Sequence, residues 1–149
     1  MYFHSFFEYL KYRWKARGRH GTHSPFVYDF VEKVLMDKGP VKQMQDLSSF
    51  NLPLKYENLI DRISAQYGAI LMLSADISSW NPLSDHNTAI LGNERIIVVP
   101  HIHRSGGHTR AWRQLVKSDH VQMSIDLYEI GLLLSRKEFK EKQHFVLKY

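Results

Sequence analysis

The apolar positions near the start of the chain recur every three or four residues, which is the spacing of one face of a helix. A first stripe predicts an amphipathic helix over residues 3–14. Ser24, a favourable N-cap, and Pro25, at the first helical position, predict the start of a second helix that closes at Gly39-Pro40. Its predicted buried stripe is Phe26, Val27, Phe30, Val31, Val34 and Leu35.

Short apolar runs alternate with helical patterns in the middle of the chain. Residues 41–54 predict a connector with one short helix, and residues 56–67 predict a helix that ends at Gly68. The run 69–73 indicates a buried strand. The β-branched run 95–100 is apolar on both faces, which is typical of a strand inside a parallel sheet. Between these strands we expect a turn over 76–81 and a short helix over 82–91.

The last third of the chain predicts one helix and three strands. The helix covers residues 105–117, with Trp112 on its apolar side. Short polar connections favour antiparallel neighbours among the strands that follow, which we expect at 121–127, 131–136 and 143–148. The whole pattern predicts one α/β domain over residues 1–149, with a helical part over 1–38 and a sheet-containing core over 55–149.

Composition narrows the classes of function. The 149 residues are 44% hydrophobic and include no cysteine, so the chain can bury a core but has no disulfide or thiolate metal site. This suits a reducing cytoplasm, which is the location we expect. No apolar stretch approaches a membrane span, and the first residues do not read as a secretory signal. The net charge of +5 permits an acidic partner such as nucleic acid.

Near the start of the chain, Gly21-Thr22-His23-Ser24-Pro25-Phe26-Val27 is similar to the pattern Gly-Val-His-Ser-Pro-Phe-Val. That pattern is typical of the N-terminal part of a bacterial group of class I S-adenosylmethionine-dependent methyltransferases, which the chain resembles in a second stretch as well. Residues 102–105, Ala111-Trp112, 124–127 and Gln143-His144-Phe145 are similar to its closing strand, helix and strands. The resemblance implies a Rossmann-like sheet, here truncated, with a parallel core, antiparallel C-terminal strands and two N-terminal helices.

The resemblance fails in the middle of the chain, where the family binds its cofactor. Only about twenty residues separate Leu73 from Ile96, too few for the strand–helix units that the family has there, since each crossover takes about a dozen residues or more. The glycine-rich turn after the first strand is absent. Ser74 and Asp76 are the remaining candidates for cofactor binding. Pro100-His101 replaces two aspartates of the family, which argues against metal-dependent O-methylation.

Three histidines form a weak candidate metal site. His101, His103 and His108 lie close in sequence and could hold zinc or nickel, but no supporting carboxylate or cysteine is visible near them. We therefore expect loop histidines and no metal. The pair Gly106-Gly107 before a helix could offer backbone amides to an anion, with Arg104 and Arg110 adding charge.

The sequence leaves three hypotheses open. The first is a methyltransferase-like protein without catalysis or cofactor, which binds or assembles as a homodimer or with a protein partner, because a sheet that loses strands exposes apolar edges. The second is a minimal methyltransferase that still uses S-adenosylmethionine as an oligomer. The third is a basic RNA-binding module.

Overall fold

Five strands form one mixed sheet, and helices pack on both of its faces. The computed structural model describes residues 8–12, 24–68, 70–73, 77, 95–136, 139 and 141–149. The helices are α1 (Pro25–Phe30), α2 (Leu54–Tyr67) and α3 (Gly106–Lys117). The strands are β1 (Ile70–Met72), β2 (Ile96–Pro100), β3 (Met123–Asp126), β4 (Ile130–Leu134) and β5 (Gln143–Val146).

The helices begin and end close to the predicted positions. The Ser24 hydroxyl accepts the Val27 N–H at 3.4 Å, and Pro25 takes the first position of α1. The helix then continues as a π-helical turn over Val31–Leu35, so it stops before the predicted Gly39-Pro40. The connector contains the expected short helix, a 3₁₀ turn at Ser48–Phe50. Gly68 ends α2 at φ +87°, a conformation that favours glycine.

The sheet has the strand order β1-β2-β4-β3-β5. Strand β2 pairs parallel with β1 and antiparallel with β4, and β4 pairs antiparallel with β3. The predicted parallel core and antiparallel pair are therefore both present, and the chain is of the α/β class.

The prediction that β5 would be an antiparallel neighbour was wrong. Strand β5 pairs with β3, and the pairing is parallel, with Met123 opposite Gln143. The physical reason is that β4 already has partners on both edges, β2 and β3, so the next strand cannot pair with it and joins the outer edge of β3 instead. The chain leaves β4 beside the start of β3, since Leu134 pairs with Met123, and β5 begins at that same end.

The core forms two layers, one on each face of the sheet. Helices α1 and α2 cover one face, where Phe30, Leu59 and Ile63 pack on Val98 and Ile125. Helix α3 covers the opposite face, and its Trp112 and Leu115 pack with Ile97, Val99 and Leu133. The alternation of side chains along β2 thus fills both layers, as the apolar run predicted.

Trp112 packs directly against the backbone of β4. A Cβ atom added to Gly131 would lie 2.4 Å from Cη2 of the Trp112 ring, and Trp112 is buried. The close approach of the ring to the strand therefore requires glycine at this position.

Several predictions fall on residues outside the described ranges. These are the helix over 82–91, the turn over 76–81 apart from residue 77, and the first helix apart from residues 8–12, which are helical as expected. Within the part of the chain that the structure describes, no helix is long and apolar enough to cross a membrane.

Candidate functional site

A cavity of about 280 Å³ lies at the edge of the sheet where β2, β3 and β5 end. Ligands of open α/β sheets commonly bind outside the carboxyl ends of the strands. Helical residues 8–12, α3 and the ends of β3 and β5 surround the cavity. Its lining includes Glu8, Lys11, Tyr12, His103, Trp112, Arg113, Lys117, Asp126 and His144.

A buried histidine–carboxylate pair forms the innermost part of this site. His103 follows β2 and is 8% exposed, and its Nε2 lies 2.7 Å from Oδ2 of Asp126, the last residue of β3. The other ring nitrogen, Nδ1, lies 3.3 Å from the Thr109 hydroxyl of α3. Oδ1 of Asp126 accepts the Tyr128 N–H at 2.9 Å. Both nitrogens of His103 therefore face protein oxygens, which fixes the orientation of the ring.

Glu8 brings a second buried carboxylate to the same histidine. Its oxygens lie 3.0 Å from Nζ of Lys11, 3.5 Å from the Arg113 guanidinium and 3.8 Å from Nδ1 of His103. Burial alone would raise the pKa of Glu8, but the hydrogen bond and charge of Lys11 and the charge of Arg113 hold it below the ordinary carboxyl value. Residues 8–12 are thus attached to the sheet through an ion-paired glutamate.

Groups of both charges line the cavity. Lys11, Arg113 and Lys117 face the carboxylates of Glu8 and Asp126 across it, and Glu8 pairs with both Lys11 and Arg113. The His103 nitrogens are directed at Asp126 and Thr109. The site is suited to holding a small polar group beside Trp112.

Each of the three candidate metal ligands contacts a different partner in the protein. Nε2 of His101 lies 2.7 Å from the Phe50 carbonyl oxygen, and Nδ1 of His108 lies 2.8 Å from the Ser105 hydroxyl. The His103 ring contacts Asp126, so the three rings do not converge on one ligand set. Over the described residues, no group of three or more histidines and carboxylates could hold a metal ion.

Two carboxylates distant in sequence from these histidines lie beside two of them in the structure. Asp126 bonds to His103, and Oε2 of Glu129 lies 3.8 Å from Nδ1 of His101. Both acids come from the end of β3 and the turn after it, and the strand pairing brings them to the histidines. The Glu129 carboxylate raises the pKa of His101 above its ordinary value; burial opposes this, and the Phe50 carbonyl adds to it.

The remaining predicted positions separate into two groups. Ser74 and Asp76, the candidates for cofactor binding, lie outside the described residues. Gly106-Gly107 forms the first turn of α3, where the Ser105 hydroxyl accepts the His108 N–H at 3.3 Å. Part of this helix terminus is therefore already capped from within the chain.

Sequence reasoning missed Glu8, Thr109 and Asp126 as members of the site. Asp126 had a usable signal, because a charged residue near the end of an apolar strand is either buried with a partner or marks the end of the strand. Glu8 and Thr109 had no such signal, since each lies on a helix with other polar residues.

Comparisons with known proteins identify no relative of this chain. A scan against protein-family models gives no match, and searches of curated proteins and of solved structures give no significant match.

Proposed function

We propose that this chain is a methyltransferase-related α/β domain that acts by binding or assembly and does not transfer methyl groups. The observation that carries the proposal is the position of His101. It stands where the resemblance implies an aspartate, and its ring contacts the Phe50 carbonyl and Glu129. In the family, this strand end would face an acceptor or a metal. In this chain it joins the connector before α2 to the sheet.

The order of elements supports the methyltransferase relationship. The resemblance implies a closing unit of strand, helix and strands, and β2, α3, β3, β4 and β5 follow in that order. Ala111 and Trp112, the pair quoted for the family's last helix, lie in α3, and Trp112 is buried against the sheet. Gln143-His144-Phe145 begins β5, as in the family pattern.

Assembly is the second part of the proposal. Among the described residues, β1 and β5 are the two outer strands, and β1 is paired only with β2. An apolar outer strand such as Ile70–Met72 favours pairing with another chain, and a homodimer is the simplest arrangement. The absence of cysteine is consistent with a cytoplasmic place for such an assembly.

Titration calorimetry of the full chain with S-adenosylmethionine and S-adenosylhomocysteine tests the first part. We expect no binding of either compound at physiological concentrations. A cooperative thermal unfolding transition, recorded on the same sample, is the control that the protein is folded. Binding of either compound would overturn the non-catalytic reading and favour a minimal methyltransferase.

Light scattering tests the assembly part separately. We expect the mass of a dimer at micromolar concentration, and a stable monomer there would contradict it. Ile70→Lys is the matched variant, because a charge on an outer strand discourages pairing between edges. Lys42→Met, on the exposed connector, is expected to leave the mass unchanged.

A further inference from the structure

Three residues other than glycine have a positive φ in the part of the chain that the structure describes, and they meet at one place. Asn51 has φ 51° and follows Phe50. His101 has φ 57° and follows β2, and Tyr128 has φ 75° and precedes Glu129. Backbone of this kind costs free energy, and it persists where the surrounding contacts hold it. The contacts at this place therefore hold strained backbone from three segments of the chain.

His101 makes the contacts that join these segments. Its Nε2 lies 2.7 Å from the carbonyl oxygen of Phe50, in the connector before α2. Its Nδ1 lies 3.8 Å from Oε2 of Glu129, and its backbone N–H donates to the Glu129 carbonyl oxygen at 2.6 Å. We call these contacts the His101 joint. Since the His101 side chain is 22% exposed, the protein supplies most of its surroundings.

The partners of the ring favour one protonation state. A carbonyl oxygen and a carboxylate accept hydrogen bonds and donate none. A neutral imidazole has one N–H, so it donates to one partner and directs an electron pair at the other, whereas the imidazolium donates to both. The Glu129 carboxylate accordingly raises the pKa of His101, which burial and the charge of Arg104 oppose and the Phe50 carbonyl assists.

The connector side of the joint is a single 3₁₀ turn, Ser48–Phe50. The N–H groups of Phe50 and Asn51 donate to the carbonyls of Leu47 and Ser48 at 3.0 and 3.3 Å. Such turns have poorer hydrogen-bond geometry than an α-helix. The turn therefore depends on contacts with the rest of the protein, and its two N–H groups report whether it is closed.

We propose that the His101 joint is a pH-sensitive switch, which holds the connector on the sheet at low pH and releases it when the ring loses its proton. Loss of the proton leaves a neutral bond to one partner and repulsion at the other, so the strained turns lose contacts that offset their cost. The joint is complete below the ordinary pKa of 6.5 and opens as pH rises through the higher pKa of the folded protein.

The switch controls the wall of a second cavity, of about 480 Å³. Pro53 lines this cavity from the connector side, and Tyr128 and Glu129 line it from the turn between β3 and β4. Release of the connector therefore changes the shape of the cavity. This regulation goes beyond the proposed function and does not depend on the methyltransferase relationship.

Hydrogen exchange followed by NMR on the full chain tests the switch at the N–H groups of Phe50 and Asn51. Each rate is divided into the rate of an unstructured chain at the same pH, which gives a protection factor. We expect both protection factors to fall about tenfold from about one pH unit below to one unit above the midpoint of the His101 ring, because a neutral hydrogen bond replaces a charged one. The N–H of Gly68, at the opposite edge of the sheet, donates to the Ser64 carbonyl at 2.9 Å and should keep its protection.

Two variants separate the proton from the packing. His101→Asn tolerates the positive φ and has no titrating group, so the protection of the connector should not change with pH. Glu129→Gln keeps an acceptor but removes the charge, so the midpoint should move down toward 6.5. His120→Asn changes an exposed histidine outside the joint and should leave the tenfold change intact.

The proposal is overturned if the N–H groups of Phe50 and Asn51 keep constant protection while the ring titrates, or if His101→Asn retains the pH dependence. An equal loss of protection at Gly68 would also overturn it, because the change would then not be confined to the joint. If His101→Asn does not fold, Glu129→Gln decides the question, since an unchanged midpoint contradicts a switch that this carboxylate sets. None of these outcomes bears on the titration with S-adenosylmethionine.

Discussion

The contact between Trp112 and Gly131 allows a quantitative test of the packing on the α3 face. Replacing Gly131 with alanine adds one methyl group, whose carbon would lie 2.4, 2.5 and 2.8 Å from three atoms of the Trp112 ring. An ordinary contact between such carbons is about 3.5–4.0 Å. The overlap is therefore about 1 Å, and it falls on a rigid ring rather than on the end of a flexible side chain.

The ring has little room to move away from the new methyl group. Trp112 is 2% exposed and packs among Ile97, Val99 and Leu133. Overpacking of a core in this way costs about 2–3 kcal/mol of unfolding free energy. For a chain of this length that corresponds to a fall in melting temperature of roughly 5–10 °C. Urea and thermal unfolding followed by circular dichroism measure both quantities.

Two further variants decide whether the ring is the cause. Gly39→Ala is the control, because its new Cβ would meet only the end of the Asp37 side chain, at 3.1 Å, and should change stability by less than about 0.5 kcal/mol. In a Trp112→Phe background, the smaller ring should remove much of the penalty of Gly131→Ala, which gives a positive coupling in the double-mutant cycle. A Gly131→Ala protein as stable as the original, or the same penalty in both backgrounds, would refute the packing argument.

Three further predictions concern the polar groups at the sheet edge. Asp126→Asn should cost about 2–3 kcal/mol in urea unfolding, because it removes a buried charge bonded to His103. His101→Asn tolerates the positive φ of 57° but loses the ion pair with Glu129. Because the pKa of His101 is raised in the folded protein, the ion pair stabilises the fold fully at pH values below the ordinary pKa of 6.5. This stabilisation is lost as the pH rises through the folded pKa. Curves of unfolding free energy against pH measure the loss. Tyr12→Phe leaves the Leu147 carbonyl without its donor and should cost about 1–2 kcal/mol in the same unfolding assay.

Each of these predictions has a matched control on the exposed surface. Asp119→Asn should change the unfolding free energy little, and an Asp126→Asn protein of equal stability would contradict a stabilising buried contact between Asp126 and His103. The exposed His120→Asn is the control for His101→Asn. A His101→Asn protein with the same pH dependence of stability as the original chain would show that His101 does not titrate with folding. Tyr9→Phe should be neutral, and a neutral Tyr12→Phe would argue against docking of residues 8–12.

The helices and strands were predictable because their signals are local. Ser24 and Pro25 mark the start of α1, Gly68 marks the end of α2, and the run 95–100 marks β2. The partner of β5 was not predictable in this way. Periodicity shows that a strand exists and which of its residues share a face, but the pairing depends on which edges other strands have already taken.

The site was predictable only in part. His103 stood out from the sequence, whereas Asp126, 23 residues later, joined it through the pairing of β3 with β4. Glu8 and Tyr12 reach the site from the opposite end of the chain, and no local pattern connects them with it. Contacts of such long sequence separation follow from topology, which the sequence pattern did not fix.

The hydroxyl of Tyr12 has a consequence for the order of events during synthesis. It bonds to Leu147 and Tyr149, which lie 135 and 137 positions further along the chain. Residues 8–12 therefore cannot take their place until residues 147–149 have left the ribosome. Contacts that close so long a loop form late in folding. The cavity lined by Glu8, Lys11 and Tyr12 is consequently completed only after residues 147–149 have emerged, and that side of the sheet stays uncovered until then.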